Sequence, residues 1–313
     1  MSEDGAVTEP TALRLHHDLA RRARFLPRGS VRRWSLPLLR PGSRAIGRLA
    51  ATGGEVVELE GCRVFVHRPS GSSHAPGPAM LWIHGGGLVI GDARQDDAFL
   101  TRFVEELGMV VASVDYRLAP QHPFPTPLDD CIRAFDWLSG QGDLDGRRLV
   151  VGGSSAGGGL AAALCQRLAA SGTVQPSFQL LVYPMLDDRS TETNSPPDHV
   201  LRLWNRQSNE VGWSSYLTGH DRSSPPPFAV PARTSDLGGL PPAWIGVGTL
   251  DLFHDEDVGY AERLRAAGVS AEIEVVDGAD HGFDTADAGA GVSRRFRDAQ
   301  VAAVASHLDS PDR

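Results

Sequence analysis

The chain contains no lysine: every one of its 30 permanently basic side chains is arginine. That absence removes Schiff-base chemistry on a lysine, the phosphate-loop lysine and the serine–lysine dyad. Cysteine is scarce too. Cys62, Cys131 and Cys165 are scattered, with no CxxC and no metal-type spacing, which points to a reduced intracellular protein. No apolar run approaches the ~20 residues a membrane span needs, and the opening MSEDGAVTEP lacks a hydrophobic signal core. The expectation is a cytoplasmic protein without stable membrane insertion. A net charge of −9 argues against a nucleic-acid surface.

What is present suits a large α/β domain: 313 residues, 41% of them hydrophobic. Residues 8–25 read as an amphipathic surface helix. Two near-alternating segments, EVVELE (55–60) and CRVFVHR (62–68), read as antiparallel strands joined at Gly61. Short apolar runs follow at 79–85, 109–116, 148–154 and 178–184, with helical stretches at 95–107, 125–140 and 156–171 between them. Such alternation predicts a mostly parallel central sheet flanked by helices on both faces. Residues 187–235 break it with a polar, proline-rich stretch and a helix near Asn209–Leu217. That is too long for a plain connection and reads as a helical cap. Alternation then resumes with a strand at 243–250, a helix at 255–267, a strand at 271–278 and a helix at 291–308. The predicted organisation is an N-terminal part of the cap (1–50), core (51–186), cap insertion (187–235) and core again (236–313).

Strand RLVVGG runs into SSAGG and then helix GLAAALCQRLAA. This is the strand–turn–helix setting of a G-x-S-x-G elbow, and its spacing makes Ser155 the nucleophile, with Ser154 at the variable position. Small neighbours let strand and helix approach closely enough for the strained turn. A competing dinucleotide reading of Gly157, Gly159 and Ala162 lies inside the helix and lacks an acidic residue about 20 positions on. Upstream, WIHGGGLVIG follows an earlier strand. Its glycines let main-chain N–H groups face a developing oxyanion. Gly85 and Gly86, with Ala156 after the nucleophile, are the candidate donors, and His84 reads as a residue that fixes the loop.

A serine hydroxyl needs a base, and the base an orienting carboxylate, in the chain order Ser, Asp/Glu, His. Only His254, His281 and His307 lie beyond the cap segment. His254 starts a helix and His307 reads as a surface residue of the last one. His281 follows the last strand, at the carboxyl edge where ligands bind in open α/β sheets. Asp251 follows the preceding strand and can meet it. Asp255 and Asp257 read as first-turn helix residues, and Asp280 is too near His281 in sequence for the required geometry.

With these residues assembled, the chain resembles the hormone-sensitive lipase-like (bacterial family IV) carboxylesterases of the α/β-hydrolase fold. The matching stretches are HGGGLVIGD, DYRLAPQHPFP, GGSSAGGGLA, YPMLDDR, LPPAWIGVGTLDLFHDEDVGYAERLRAAGV and DHGF, across residues 55–308. The resemblance implies the same triad, Ser155, Asp251 and His281, and the same oxyanion donors. It also implies a mobile cap, short- to medium-chain acyl esters as small-molecule substrates, no cofactor and no metal. Homodimerisation through the last strand and helix is common in such proteins. Two departures stand out: Ser154 where relatives often carry Asp or Glu, and Leu252 where proline often follows the acid. The triad alone does not separate ester from amide or lactone. A non-catalytic ligand-binding member of the fold, as in plant gibberellin receptors, lacks the histidine that His281 supplies here. Leu88, Trp204, Trp213 and Leu217 are candidate substrate-pocket residues.

Overall fold

The computed structural model describes residues 14–29, 31–71, 76–192 and 196–310. Eight strands form one sheet: β1 (Glu55–Leu59), β2 (Cys62–His67), β3 (Gly77–Ile83), β4 (Val110–Asp115), β5 (Leu144–Ser154), β6 (Phe178–Val182), β7 (Ala243–Gly248) and β8 (Ala271–Val276). Their spatial order is β1-β2-β4-β3-β5-β6-β7-β8. The β1–β2 and β2–β4 pairs are antiparallel, and all others are parallel.

Side chains alternate across the sheet, and each face buries its own apolar set. In β3, Ala79, Leu81 and Ile83 pack on one side with helices α4 (Thr126–Ser139), α5 (Ala156–Ser171) and α7 (His254–Ala266). Met80 and Trp82 pack on the other with α3 (Asp97–Leu107), α8 (Phe283–Ala286) and α9 (Gly291–Leu308). Residues 187–235 carry α6 (Arg206–Tyr216) between short 3₁₀ turns. Trp204, Trp213, Tyr216 and Leu217 join the same apolar cluster as the first face.

The helices foreseen at 156–171 and 291–308 coincide with α5 and α9, while β5 begins four residues earlier than the run at 148–154 suggests. The N-terminal region differs more. Of the helix read over 8–25, residues 8–13 lie outside the described ones, and only α1 (Ala20–Ala23) is helical in the remainder. A longer helix, α2 (Leu36–Ala50), follows instead and contains both Pro37 and Pro41. Pro37 sits in the first turn, where its missing N–H has no helical partner to lose. Tertiary packing holds the rest: a Cβ on Gly47 would meet Asp92 Oδ1 at 2.3 Å.

Polar groups are enclosed between β3 and the α3/α9 layer. Trp82 Nε1 donates to Asp96 Oδ2 at 2.9 Å, and Tyr183 Oη donates to Asp284 Oδ1 at 2.8 Å. Arg297 Nε donates to Asp284 Oδ2 at 3.2 Å. Desolvation pushes the Asp96 carboxyl up to about 6, against the pull of the Trp82 hydrogen bond.

Two stability measurements follow. A Cβ on Gly157 would lie 1.9 Å from the Ile83 carbonyl oxygen, whereas one on Gly42, in α2, would meet nothing within 4 Å. In urea unfolding, Gly157→Ala is expected to lose at least about 3 kcal/mol, because neither backbone can retreat. Gly42→Ala is expected to gain about 0.5–1 kcal/mol. Equal effects would contradict the packing. The second concerns Asp96. An unfolded aspartate ionises near 3.8, so as pH rises from there to about 6 only the unfolded state gains by ionising, and the folded state loses stability. Asp96→Asn is therefore expected to be more stable than the parent above about pH 7, by on the order of 2 kcal/mol after solvent screening. The difference should vanish toward pH 4. A pH-independent difference would show that Asp96 does not titrate in this range.

Candidate active site

Ser155 is the single residue between the end of β5 and the start of α5. Its backbone sits at φ 55, ψ −120, a region that side-chain-bearing residues rarely occupy. Three hydrogen bonds hold it there: its N–H donates to Val182 O (2.8 Å), and its carbonyl accepts from Gly159 N (3.0 Å) and Met185 N (2.9 Å). The glycines around it are explained by close approach. A Cβ on Gly153 would fall 2.5 Å from Gly157 O, and one on Gly159 would fall 2.1 Å from Met185 O. These contacts also answer the dinucleotide reading: Gly157 and Gly159 are covered by protein backbone and offer no cradle for a phosphate.

The parallel topology brings the ends of β5, β7 and β8 to one edge. Asp251 follows β7 and His281 follows β8. His281 Nε2 stands 3.0 Å from Ser155 Oγ, and His281 Nδ1 stands 2.7 Å from Asp251 Oδ2. Asp251 Oδ1 accepts the Phe253 N–H at 2.9 Å, so both carboxylate oxygens are engaged. All three residues are buried. The imidazole is boxed by two aromatic rings that sequence reasoning did not single out, Phe253 edge-on at 5.1 Å and Tyr183 at 4.9 Å, and by the candidate pocket residue Trp204, tilted at 6.5 Å.

The rival residues lie elsewhere. Asp255 pairs with His254 at 2.7 Å. Asp257 is buried within α7, and neither of its carboxylate oxygens has a hydrogen-bond partner among the described residues. Asp280 makes no hydrogen bond to His281; burial pushes its carboxyl up to about 6, with the Asp251 charge adding to the rise. His307 is half-buried rather than on the surface, stacked on Phe178 with Nε2 3.1 Å from Ser177 Oγ.

The glycine loop after β3 lies directly against the elbow. A Cβ on Gly85 would be 3.3 Å from the Ser155 Cβ. Gly86 adopts φ +121, and its carbonyl accepts from Val89 N and Ile90 N in a tight turn. Among the described residues, no acceptor takes the N–H groups of Gly85, Gly86 or Ala156. Ala156 is the first residue of α5, where a helix offers no internal partner. The loop is braced from behind. His84 Nδ1 contacts Gly85 O at 2.7 Å, its ring stacks on Tyr116 at 4.3 Å, and Tyr116 Oη donates to His84 O at 3.0 Å. Burial pulls the His84 pKa down, which keeps the ring neutral.

Beside Ala156 lies an apolar cavity of about 10 Å³, lined by Leu88, Leu160, Met185, Trp213 and Tyr216 among others. That volume is close to the minimum that holds one water. Of the four candidate pocket residues, Leu88 and Trp213 line it. Trp204 instead covers Gly87 near His281, and Leu217 is buried away from the cavity. Leu160, Met185 and Tyr216 were not anticipated, because each reads in sequence as ordinary core. The ligand atoms of His16, His17 and Asp18 come within 4.8 Å of one another on the N-terminal segment and involve no residue of this constellation.

Comparison with known proteins agrees with this fold. A profile of the alpha/beta hydrolase fold matches residues 80–285. Esterase LipI of Mycobacterium tuberculosis is 34% identical over 225 residues, covering 69% of this chain and 68% of that protein. Ethyl acetate hydrolase of Pseudomonas putida is 34% identical over 225 residues, covering 70% of each. A bacterial heroin esterase structure superposes with a TM-score of 0.84 at 36% identity, covering 95% of this chain and 98% of that one. With the elbow, the glycine loop and these relatives in agreement, the chain belongs to the alpha/beta hydrolase fold family, among its hormone-sensitive lipase-like esterases.

Proposed function

We propose that the protein is a serine carboxylesterase that cleaves small esters through an acyl-enzyme intermediate, with Ser155 as nucleophile, His281 as base and Asp251 as orienting acid. The observation that carries this reading is the continuous relay from Ser155 Oγ through His281 to Asp251, at 3.0 and 2.7 Å. In the first step Ser155 Oγ attacks the ester carbonyl carbon while His281 Nε2 takes the hydroxyl proton. The carbonyl electron pair moves onto oxygen, which the N–H groups of Gly85, Gly86 and Ala156 receive. Collapse breaks the bond to the alcohol oxygen, and His281 Nε2–H protonates that oxygen as it leaves. In the second step His281 takes a proton from water, the hydroxide attacks the acyl carbon, and collapse returns Oγ to Ser155 with the proton from His281. Asp251 holds the Nδ1–H tautomer and stabilises the imidazolium.

The N-terminal segment and residues 187–235 are read as one cap over this site. Supporting this, Leu203 N donates to Pro27 O at 2.8 Å and Arg202 Nε to Ala23 O at 3.3 Å, so the two segments are stitched together. Arg233 ties the far end of the insertion back to its start through two bonds to Asp188, at 2.8 and 2.9 Å. The small cavity next to Ala156 is assigned to the acyl group, which favours the short end of the acyl range.

Two outcomes are expected. Ser155→Ala should lower kcat for p-nitrophenyl acetate at least about 10⁴-fold with unchanged circular dichroism, and Asp251→Asn should fall by a similar factor. Retained turnover in Ser155→Ala would remove the assignment. Across p-nitrophenyl esters, kcat/KM should be highest for acetyl, whose methyl group matches the size of the cavity, and fall at least about tenfold by octanoyl. Trp213→Leu, which enlarges the cavity, should move that optimum to longer chains. A flat profile in both proteins would refute the acyl-pocket assignment while leaving the triad intact.

A further inference from the structure

Helix α2 is amphipathic in an inverted sense. Its polar and small residues face the protein: Arg40 Nε donates to Val89 O at 2.8 Å, Ser43 Oγ accepts from Gly91 N at 3.2 Å, and Gly47 is buried against Asp92. Of its large apolar residues, Leu36 is buried and Leu39 packs partly buried against the core, while the other three face away. Leu38 is 73% exposed, Ile46 62% and Leu49 88%, and their spacing sets them on one face of the helix. Trp34, just before the helix, is 73% exposed, and Phe25 is 85% exposed. These five make up most of the exposed large hydrophobic side chains among the described residues. Such a concentration of exposed apolar side chains within residues 25–49 marks a contact surface.

The charge around the patch says what it contacts. Residues 19–54 hold nine arginines and no acidic residue, in a chain whose net charge is −9. Arg44 and Arg48 lie beside the apolar stripe on α2, and Arg32 and Arg33 lie beside Trp34; all four are exposed. A symmetric dimer through this face would set these arginines against their own copies, and like charges repel. An anionic lipid surface complements both properties at once. Apolar side chains enter the headgroup–acyl boundary, arginines meet phosphates, and Trp34 sits at the depth that tryptophan favours. No helix among the described residues is long and apolar enough to cross a membrane, so the contact is peripheral.

We propose that α2, with Phe25 and Trp34, is a docking surface for anionic phospholipid bilayers, lying in the plane of the interface. This is independent of the acyl-transfer reading, because binding is measured without turnover. The test is co-sedimentation of the full chain with vesicles of phosphatidylcholine and phosphatidylglycerol, three parts to one, and with phosphatidylcholine alone. At low salt the protein is expected to pellet only with the anionic vesicles, and to be released by about 0.5 M salt. Trp34 emission should shift to the blue on binding, and Trp34→Phe should lose that shift. Leu38→Asp/Leu49→Asp should abolish pelleting, and Arg44→Glu/Arg48→Glu should lower the partition coefficient by at least roughly thirtyfold. Both double variants should keep the wild-type rate on p-nitrophenyl acetate in solution. Three results would overturn the proposal: no pelleting with anionic vesicles at low salt, pelleting unchanged by Leu38→Asp/Leu49→Asp, or a wild-type oligomer that this double variant dissociates. The last would make the face an interface between copies of the chain.

Discussion

The arrangement depends on how closely α5 can approach the sheet. Gly157 lies so near the end of β3 that one added methyl group would sit 1.9 Å from the Ile83 carbonyl oxygen, and Gly153 faces Gly157 in the same way. That approach leaves one residue to turn the chain from strand to helix, and Ser155 makes the turn at φ 55. A backbone forced into this region costs about 1–3 kcal/mol. The cost is offset by bonds from Ser155 to Val182, Gly159 and Met185. Those bonds tie the serine to β6 and α5 together, so its backbone and the direction of its Cα–Cβ bond are fixed. The same geometry leaves the Ala156 N–H at the head of a helix with no internal acceptor. The position of Ser155, the proposed nucleophile, and of the Ala156 N–H, a proposed oxyanion donor, thus follows from one close contact between backbones.

Much of this was legible in the sequence, for identifiable reasons. Parallel strands end at a common edge, so a residue just past a strand is placed by topology alone. Asp251 and His281 are two such residues, on neighbouring strands β7 and β8, and their pairing at 2.7 Å needs no long-range information beyond strand order. What remained illegible depends on packing between distant segments. The aromatic box around His281 draws Tyr183 from the end of β6 and Phe253 from the start of α7, and in sequence both are indistinguishable from core. Tyr216 and Leu217 are adjacent and equally buried, yet only Tyr216 lines the small cavity. A difference of one residue on a helix decides it, and no periodicity reports which face meets a gap.

Ser154 gains a physical context from the layer behind the sheet. It borders a small enclosed space shared with Asp96, Asp284, Arg297 and Gln300. Two carboxylates already stand there, with one guanidinium bonded to Asp284. The Asp96 carboxyl is held well above its ordinary range by burial, and Asp284 adds to that rise. A third carboxylate at position 154 would meet the same desolvation with no second cation to pair it. A serine hydroxyl brings no charge to be desolvated there. The departure at this position is therefore coupled to the acids on α3 and α8, and its effect belongs to the set rather than to one residue.

The N-terminal helix shows where pattern reading reverses. An amphipathic helix is ordinarily assigned by placing its apolar stripe against the core. In α2 the face that meets the protein is the one with Arg40, Ser43 and Gly47, because its neighbour is a loop of exposed carbonyls and N–H groups. Val89 O and Gly91 N need polar partners when covered, and an apolar helix face would leave them unsatisfied. Leu36 and Leu39 pack against the core and Leu38, Ile46 and Leu49 point outward, while the residues that suit this contact are polar or small. The loop they brace runs from Gly85 to Asp92, so the inner face of α2 supports the same backbone that presents the Gly85 and Gly86 N–H groups. The outer face of α2 is therefore only one helix diameter from the Gly85–Asp92 loop, so the proposed docking surface and the proposed oxyanion donors rest on a single structural element.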